Sequence, residues 1–257
     1  MLTEVRLAEL IFLGTGSGAP GGRRLPTTLA IKAGGGLYLL DCGSPAANLL
    51  AAAGEPFDDT LEALFLSHLH TDHAGGVPLL LQDLLLAGRV RPFPTLAPPR
   101  SAERLRTAAR ALLVEPERYP FAWRLEEAMP LQTYEFRDLA VSFIPNEHLA
   151  EHMGPEPPQS CSLFLNVQGT ALLYSGDVAS PEELGSHARM SGLLLHELGH
   201  HDPEDVLDFA ARYNVPRLAL VHIRPQWEGR EAELRALARQ RYRGELIIPR
   251  DGERITL

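Results

Sequence analysis

The sequence predicts an α/β fold, because short apolar strands alternate with helical segments along the 257 residues. The strand candidates are apolar runs that end in glycine-rich or polar turns. The clearest helix signal is Asp202-Pro203, where an N-cap residue precedes a proline at the first helical position. Since the sequence contains no internal repeat, low-complexity tract or linker, we expect residues 1–257 to form a single domain.

The first half of the chain is predicted to begin with a β-meander and to continue with alternating helices and strands. The predicted strands are residues 7–13, 27–33, 36–40 and 61–66, and the predicted helices are residues 46–53, 78–87 and 101–114. The proline-rich stretch 89–100 is predicted to be a connector.

The second half is predicted to be richer in strands. The predicted elements are strands at residues 139–144, 161–167, 171–174, 192–195 and 218–221, and a helix that begins at Asp202-Pro203 and ends near residue 213.

The composition is that of an ordinary globular protein, with 45% hydrophobic and 22% charged residues and a formal net charge of −9. The acidic surface as a whole does not attract polyanions. Cys42 and Cys161 form neither a disulfide framework nor a CxxC pair, and Glu4 and Glu9 interrupt what would be the apolar region of a signal peptide. We therefore expect a cytoplasmic protein with no membrane segment and a small-molecule substrate.

Polar residues that can bind metals or carry protons follow the ends of several predicted strands. Strand ends along one edge of a sheet converge on one place, so these side chains are expected to share a site. The positions are Asp41, His68, His148, Asp177, the pair His196-Glu197, and His222.

The densest of these clusters is SHLHTDH, residues 67–73, which directly follows a predicted buried strand. His68 and His70 are two residues apart in an extended segment and therefore point to the same side, and Asp72 and His73 lie at the turn that follows. Neutral imidazole and carboxylate are the ligands that Zn²⁺ prefers, although Mn²⁺ and Fe²⁺ can share such ligands. The segment therefore predicts a metal site.

Taken with His148 after a strand, Asp177 in YSGD and His222 in LVHIRP, this segment resembles the motifs of the metallo-β-lactamase-fold hydrolases over nearly the whole chain. The resemblance implies an αββα sandwich, with two mixed β-sheets flanked by helices, and two bound Zn²⁺ ions. It also implies the ligand sets, which are His68, His70 and His148 for one ion, Asp72, His73 and His222 for the other, and Asp177 as the bridge. His152 competes with His148 as the third ligand, and the resemblance favours His148.

The segments LGTGSGAPGGRR, TTLAIK and LLDCG resemble the ribonuclease Z-like branch, which includes small phosphodiesterases. This implies hydrolysis of a phosphodiester by a hydroxide that bridges the two metals. Members carry a His-Glu pair and a further histidine, so Glu197 with His200 is the expected proton-transfer pair, and Asp72 completes the catalytic set. His201 could replace His200 in this pair, and His152 and His201 are expected substrate contacts.

Several alternatives stay open at this point. The net charge favours a cyclic nucleotide or another small phosphodiester over RNA, while a carboxylic ester, thioester or lactone is the alternative substrate class. HELGH, residues 196–200, matches the HExxH motif of zinc proteases, a remote alternative because Gly199 weakens any helix there. A basic patch for a phosphate-rich substrate and a homodimer are also left open. The patch would comprise Arg89, Arg91, Arg100, Arg104, Arg106 and Arg110.

Overall fold

Two mixed β-sheets pack face to face, and helices cover the outer face of each sheet. The structure is a computed structural model, which describes residues 7–153 and 159–257 except for the side chains of His152 and Met153. This four-layer arrangement confirms the predicted αββα sandwich.

The strands of the first sheet come mainly from the N-terminal half. They are β1 (Glu9–Gly14), β2 (Thr28–Ala33), β3 (Gly36–Leu40), β4 (Leu61–Phe65), β5 (Phe93–Ala97), β6 (Trp123–Glu127) and β14 (Arg254–Thr256). The strands of the second sheet are β7 (Thr133–Glu135), β8 (Leu139–Asn146), β9 (Ser160–Val167), β10 (Thr170–Tyr174), β11 (Leu193–Glu197), β12 (Arg217–Val221) and β13 (Glu245–Ile247).

The α-helices lie between the strands along the chain. They are α1 (Ala46–Ala52), α2 (Thr71–Ala74), α3 (Val77–Leu86), α4 (Ala102–Ala111), α5 (Ala150–Met153), α6 (Gly185–Met190), α7 (Pro203–Arg212) and α8 (Glu231–Arg241). Short 3₁₀ turns occupy Pro116–Arg118, Pro181–Leu184 and Pro225–Trp227. In the described part of the chain, no helix combines the length and the apolar character that a membrane crossing requires.

The two sheets have the same internal organisation. The strand orders are β14-β1-β2-β3-β4-β5-β6 and β13-β12-β11-β10-β9-β8-β7. In the first sheet β3, β4, β5 and β6 are parallel neighbours, and in the second sheet β10, β11, β12 and β13 are. The remaining pairs are antiparallel.

Three apolar layers hold the sandwich together. The central layer lies between the sheets and contains residues such as Phe12 and Phe143 from opposite sheets. The two outer layers pack helices on the sheets, with Leu81 of α3 in one layer and Phe209 of α7 in the other. Burial of such large side chains is the main favourable term in folding, at roughly 2 kcal/mol for each side chain.

The predicted connector at residues 89–100 is wrong in its central part, because β5 occupies Phe93–Ala97. The proline content suggested a break, and Pro94 does stand inside a strand that has neighbours on both sides. The first register pair between β4 and β5 is Leu64 with Thr95, so Pro94 precedes the paired stretch. No donor to that pairing is lost, and the strand tolerates the proline.

The six arginines suggested as a basic patch do not form one. Arg89 is 1% exposed and donates to the backbone carbonyls of Asp58, Arg91 and Pro92 at 2.6, 2.9 and 2.8 Å. Other members of the set have side-chain partners. Arg91 pairs with Glu62, Arg104 bonds Gln159, and Arg110 pairs with Glu117.

Replacement of the buried guanidinium by Arg89→Leu is expected to lower the free energy of unfolding by about 3 kcal/mol, because three carbonyl groups lose their donors. Urea denaturation followed by circular dichroism measures this change. Arg124→Leu is the control, since Arg124 is exposed on β6, and it should change stability by less than about 0.5 kcal/mol. Equal stability of the two variants would contradict the structural role of Arg89.

Candidate metal centre

The polar residues that follow strand ends meet at one edge of the sandwich. β8 and β10 are both antiparallel to β9, and β11 and β12 continue parallel to β10, so these four strands point the same way. Their carboxyl ends lead to His148, Asp177, His200 and His222, while β4 of the first sheet leads into the SHLHTDH segment. The sheet topology therefore brings the predicted residues together.

One group of potential ligands combines three histidines with an aspartate. His68 Nε2 lies 3.0 Å from His70 Nδ1, and His148 Nε2 lies 3.3 Å from the same His70 atom. Asp177 Oδ2 is 3.7 Å from His68 Nε2 and 3.6 Å from His148 Nε2. These four donor atoms lie within 4.8 Å of one another, as the ligands of a single ion would.

A second group contains Asp72, His73 and His222, with donor atoms also within 4.8 Å of one another. Asp72 Oδ2 is 3.8 Å from His73 Nε2 and 3.7 Å from His222 Nε2. Asp177 adjoins this group as well, since its Oδ1 lies 3.3 Å from His73 and its Oδ2 lies 3.6 Å from His222. The carboxylate of Asp177 thus stands between the two groups.

These donor atoms fit divalent metal ions. His73 Nε2 and Asp177 Oδ1 are buried and have no hydrogen-bond partner among the described residues. Buried polar atoms are normally paired, and an unpaired one calls for an explanation such as a bound ion. Imidazole nitrogen and carboxylate oxygen suit Zn²⁺, and also Mn²⁺ or Fe²⁺.

Hydrogen bonds behind two of the histidine rings leave Nε2 free as a metal ligand. The Ser67 hydroxyl donates to Asp41 Oδ2 at 2.7 Å, so it accepts from His68 Nδ1 at 3.0 Å. The Thr27 hydroxyl donates to the Gly16 carbonyl at 3.0 Å and accepts from His222 Nδ1 at 2.8 Å. The proton is therefore assigned to Nδ1 in both rings, and the lone pair of Nε2 faces the centre.

Asp41 organises this outer layer; the sequence placed it among the strand-end residues expected to share a site but assigned it no role. Its Oδ2 accepts from His73 Nδ1 at 2.7 Å and from the Tyr174 hydroxyl at 2.6 Å. The Asp41 carboxylate also accepts two bonds from Ser67, each of 2.7 Å. The backbone N–H of Ser67 donates to Oδ1, and its hydroxyl donates to Oδ2. The position at a strand end was the available signal, but nothing in the sequence pairs Asp41 with His73, which is 32 residues away.

Two residues at this edge have a strained backbone. Asp41 and His222 have φ angles of 57° and 51°, in the left-handed region that non-glycine residues rarely adopt. A Cβ atom at Gly199 would lie 2.2 Å from Cδ2 of His222, so only glycine fits beside that ring. Such conformations persist when the surrounding structure fixes them, and they cluster at functional sites.

Burial keeps most of these imidazoles neutral. It lowers the pKa of His148 to about 4 and lowers the pKa of His68 well below its usual range. The pKa of His73 is instead raised, because the Asp177 and Asp41 carboxylates outweigh the effect of burial. Neutral imidazole is the form that binds metal, so most of the set is ready to bind at neutral pH.

Glu197 lies beside this centre and contacts both candidate histidines. Its Oε1 is 3.1 Å from His200 Nδ1 and 3.2 Å from His201 Nε2. Burial alone would raise the pKa of Glu197, but the bonds to His200 and His201 lower it overall. The bond to Glu197 in turn raises the pKa of His200.

The two histidines differ in their access to the centre. The His200 side chain is 39% exposed, and its ring stacks on His222 with centroids 5.7 Å apart. His201 is 11% exposed, and its Nε2 also lies 3.1 Å from the Val178 carbonyl. His200 therefore faces the centre, whereas His201 lies behind Glu197.

The HExxH reading of HELGH is wrong, because residues 196–200 do not form a helix. His196 and Glu197 end β11, and the Glu197 carboxylate accepts from the backbone N–H groups of Gly199 and His200. The His196 ring is fully buried, and its Nδ1 bonds the Glu197 carbonyl at 2.7 Å. A zinc protease needs both histidines on one face of a helix.

The structure places His148 in the first ligand group. The side chain of His152, its competitor for that position and an expected substrate contact, lies outside the described residues.

Comparisons with known proteins agree with this architecture. A ribonuclease Z from Halorubrum lacusprofundi is 25% identical over an alignment of 303 positions, which covers 96% of each chain. The metallo-β-lactamase-fold protein YhfI from Bacillus subtilis superposes with a TM-score of 0.78 at 18% identity, covering 97% of this chain and 99% of its own. The short form of human tRNase Z gives a TM-score of 0.73 at 19% identity, covering 96% and 98%.

The family model described as Anti-Pycsar protein Apyc1 matches residues 8–206, which is more than half of the chain. The chain therefore belongs to this family, within the ribonuclease Z-like branch of the metallo-β-lactamase fold.

Proposed function

We propose that the chain forms one domain and is a metal-dependent phosphodiesterase. Its substrate is a small phosphodiester such as a cyclic nucleotide, and RNA is the second substrate class. The observation that carries this proposal is the pair of ligand groups that share Asp177. Two ions held by one carboxylate can act on the attacking and leaving oxygens of the same phosphate.

In this proposal His68, His70 and His148 hold one ion, Asp72, His73 and His222 hold the other, and Asp177 contributes to both. The residues fit Zn²⁺ first and Mn²⁺ or Fe²⁺ as well. When bound, such ions lower the pKa of water and neutralise charge on phosphoryl oxygens. The buried members of the set, His68, His73 and Asp177, also exclude bulk water from that side of the centre.

Glu197 and His200 act as the proton-transfer pair. The buried Glu197 carboxylate holds His200 Nδ1 at 3.1 Å and favours the protonated ring. The exposed side of that ring adjoins His148, with centroids 5.0 Å apart, so Nε2 can donate a proton to the leaving oxygen of a substrate bound there. His201 orients the Glu197 carboxylate through the contact between its Nε2 and Glu197 Oε1. In this proposal His201 has that role, whereas the sequence suggested that it contacts the substrate.

The substrate class rests on the relatives and on charge. The relatives named above are a ribonuclease Z and a tRNase Z, and a further structural neighbour is described as a diphosphatase from the PhnP family, with a TM-score of 0.69 at 16% identity. The net charge of −9 favours a short substrate over a long polynucleotide.

The direct test compares hydrolysis of bis(p-nitrophenyl) phosphate and p-nitrophenyl acetate by protein loaded with zinc or manganese. Cleavage of the phosphodiester is the expected result. Cleavage of the acetate alone would overturn the phosphodiesterase proposal and favour an ester, thioester or lactone substrate.

Asp72→Ala removes the carboxylate of the second ligand group. The variant is expected to bind about one divalent ion fewer per chain and to lose more than about 100-fold in kcat on bis(p-nitrophenyl) phosphate. Metal content is measured by elemental mass spectrometry. Asp59→Ala is the control because Asp59 is exposed and precedes β4, at the opposite end of that strand from His68. Full metal content and activity in Asp72→Ala would refute the ligand assignment.

Asp41→Asn keeps the shape of the side chain but removes the charge that faces His73. We expect metal affinity to fall by about 10- to 100-fold, as is usual when a partner behind a ligating histidine is changed. Competition with a chromophoric chelator measures the affinity. Tyr174→Phe removes one neutral donor to Asp41 and should have a smaller effect. An unchanged affinity in Asp41→Asn would show that Asp41 does not orient the ligands.

Glu197→Gln tests the proton-transfer pair through the pH profile of kcat. The Glu197 carboxylate raises the pKa of His200, so the acid form of His200 is present below that pKa and activity falls as pH rises through it. The variant lacks this effect, so its alkaline limb should move to lower pH, with a kcat about 100-fold below wild type. If the alkaline limb does not move in the variant, the limb reports the titration of a group other than His200.

A further inference from the structure

Ser67 directly precedes the first metal-binding histidine, and neither the proposed ligand groups nor the proton-transfer pair includes it. The residue follows β4 and is fully buried. A buried hydroxyl normally has a partner for its proton and a partner for its lone pairs. For Ser67 these partners are Asp41 and His68.

The two hydrogen bonds of this hydroxyl have a fixed direction. The single proton of the hydroxyl goes to Asp41 Oδ2 at 2.7 Å. Only lone pairs remain for His68, so the Ser67 oxygen accepts from His68 Nδ1 at 3.0 Å. A histidine whose other ring nitrogen donates in this way is held in one tautomer and one ring orientation as a metal ligand. Ser67 therefore orients His68.

The backbone of Ser67 is held independently of its hydroxyl. Its N–H donates to Asp41 Oδ1 at 2.7 Å, and its carbonyl accepts from the N–H of Cys161 at 2.9 Å. Asp41 follows β3 in the first sheet, and Cys161 lies in β9 of the second sheet. Loss of the hydroxyl alone should therefore leave the backbone of Ser67 in place.

The oxygen of Asp41 that binds the Ser67 hydroxyl also binds a ligand of the other group. Asp41 Oδ2 accepts from His73 Nδ1 at 2.7 Å. His73 belongs to the second ligand group, whereas His68 belongs to the first. Asp41, Ser67 and both imidazole rings are fully buried, so bulk water does not replace a partner that is lost.

We propose that Ser67 is a positioning residue that extends the hold of Asp41 from His73 to His68, so that one carboxylate orients a ligand of each metal ion. The inference rests on the ligand groups of the proposed phosphodiesterase and adds a link between them that is separate from the shared Asp177. A change at Asp41 should therefore weaken the binding of the first ion as well as that of the second.

The test uses the Asp72→Ala background, in which the first ligand group is the one left complete. Binding of Co²⁺ is followed by its visible absorption, and competition with a chelator gives the affinity. Addition of Asp41→Asn is expected to lower the affinity for the remaining ion by about tenfold. The asparagine keeps an oxygen that can accept from the Ser67 N–H, so the change is confined to the side of Oδ2. An unchanged affinity would overturn the proposal, and this result does not require a variant at Ser67.

A double-mutant cycle then identifies the path. Ser67→Ala in the same background should also lower the affinity by about tenfold, because His68 loses its acceptor. The combined variant Ser67→Ala/Asp41→Asn should again lose about tenfold in affinity, since both changes break one path. A combined loss of about a hundredfold would mean two independent paths and would overturn the role of Ser67. The second path would be the contact of the His73 ring with that of His68, whose centroids are 4.2 Å apart.

Ser191→Ala is the matched control, because it removes another buried hydroxyl. This hydroxyl donates to the Ala188 carbonyl at 2.8 Å and lies before β11, away from the carboxyl end of that strand. The control should keep the Co²⁺ affinity and the visible spectrum of the background, whereas Ser67→Ala should change both. An unchanged spectrum and affinity in Ser67→Ala would overturn the proposal.

These measurements do not depend on turnover, so they separate the role of Ser67 from the proposed function. The expected cycle together with no cleavage of any phosphodiester would keep the link between Asp41 and His68 and refute the phosphodiesterase. Cleavage of the phosphodiester with an additive cycle would keep the proposed function and refute the link.

Discussion

The buried carboxylate of Asp177 is the constraint around which the rest of this edge is arranged. It is 2% exposed, and its two oxygens face imidazole nitrogens from both ligand groups. A buried charge is costly unless it is paired or coordinates a metal. The pKa of Asp177 nevertheless lies well below its usual range, because His73 and its other histidine neighbours outweigh the cost of burial. The carboxylate therefore stays charged, and the surrounding side chains must supply its partners.

The two sheets provide the rigidity that this arrangement requires. Asp177 follows β10 in one sheet, and Asp41 follows β3 in the other, yet the Tyr174 hydroxyl at the end of β10 bonds Asp41. This contact crosses the sandwich and links the strand end that carries Asp177 to the carboxylate behind His73. The left-handed φ angles of Asp41 and His222 are maintained because the strands before them are fully packed on both faces.

Charge is distributed differently inside and around the centre. Inside, neutral imidazoles and buried carboxylates suit cations, whereas the bond to Glu197 raises the pKa of His200 at the exposed margin. Next to it, Glu228 and Asp251 accept hydrogen bonds from backbone N–H groups of residues 23–25.

The sequence by itself determined the alternation of strands and helices and the set of polar residues at the strand ends, because periodicity and dense motifs such as HxHxDH are local properties. It did not determine β5, since Pro94 suggests a break until the register with β4 is known. Only the tertiary structure decided that Asp41 supports His73, that His200 faces the centre and His201 lies behind Glu197, and that HELGH ends a strand. These contacts are between residues that are distant in sequence, and a local sequence pattern does not determine which strand ends come together.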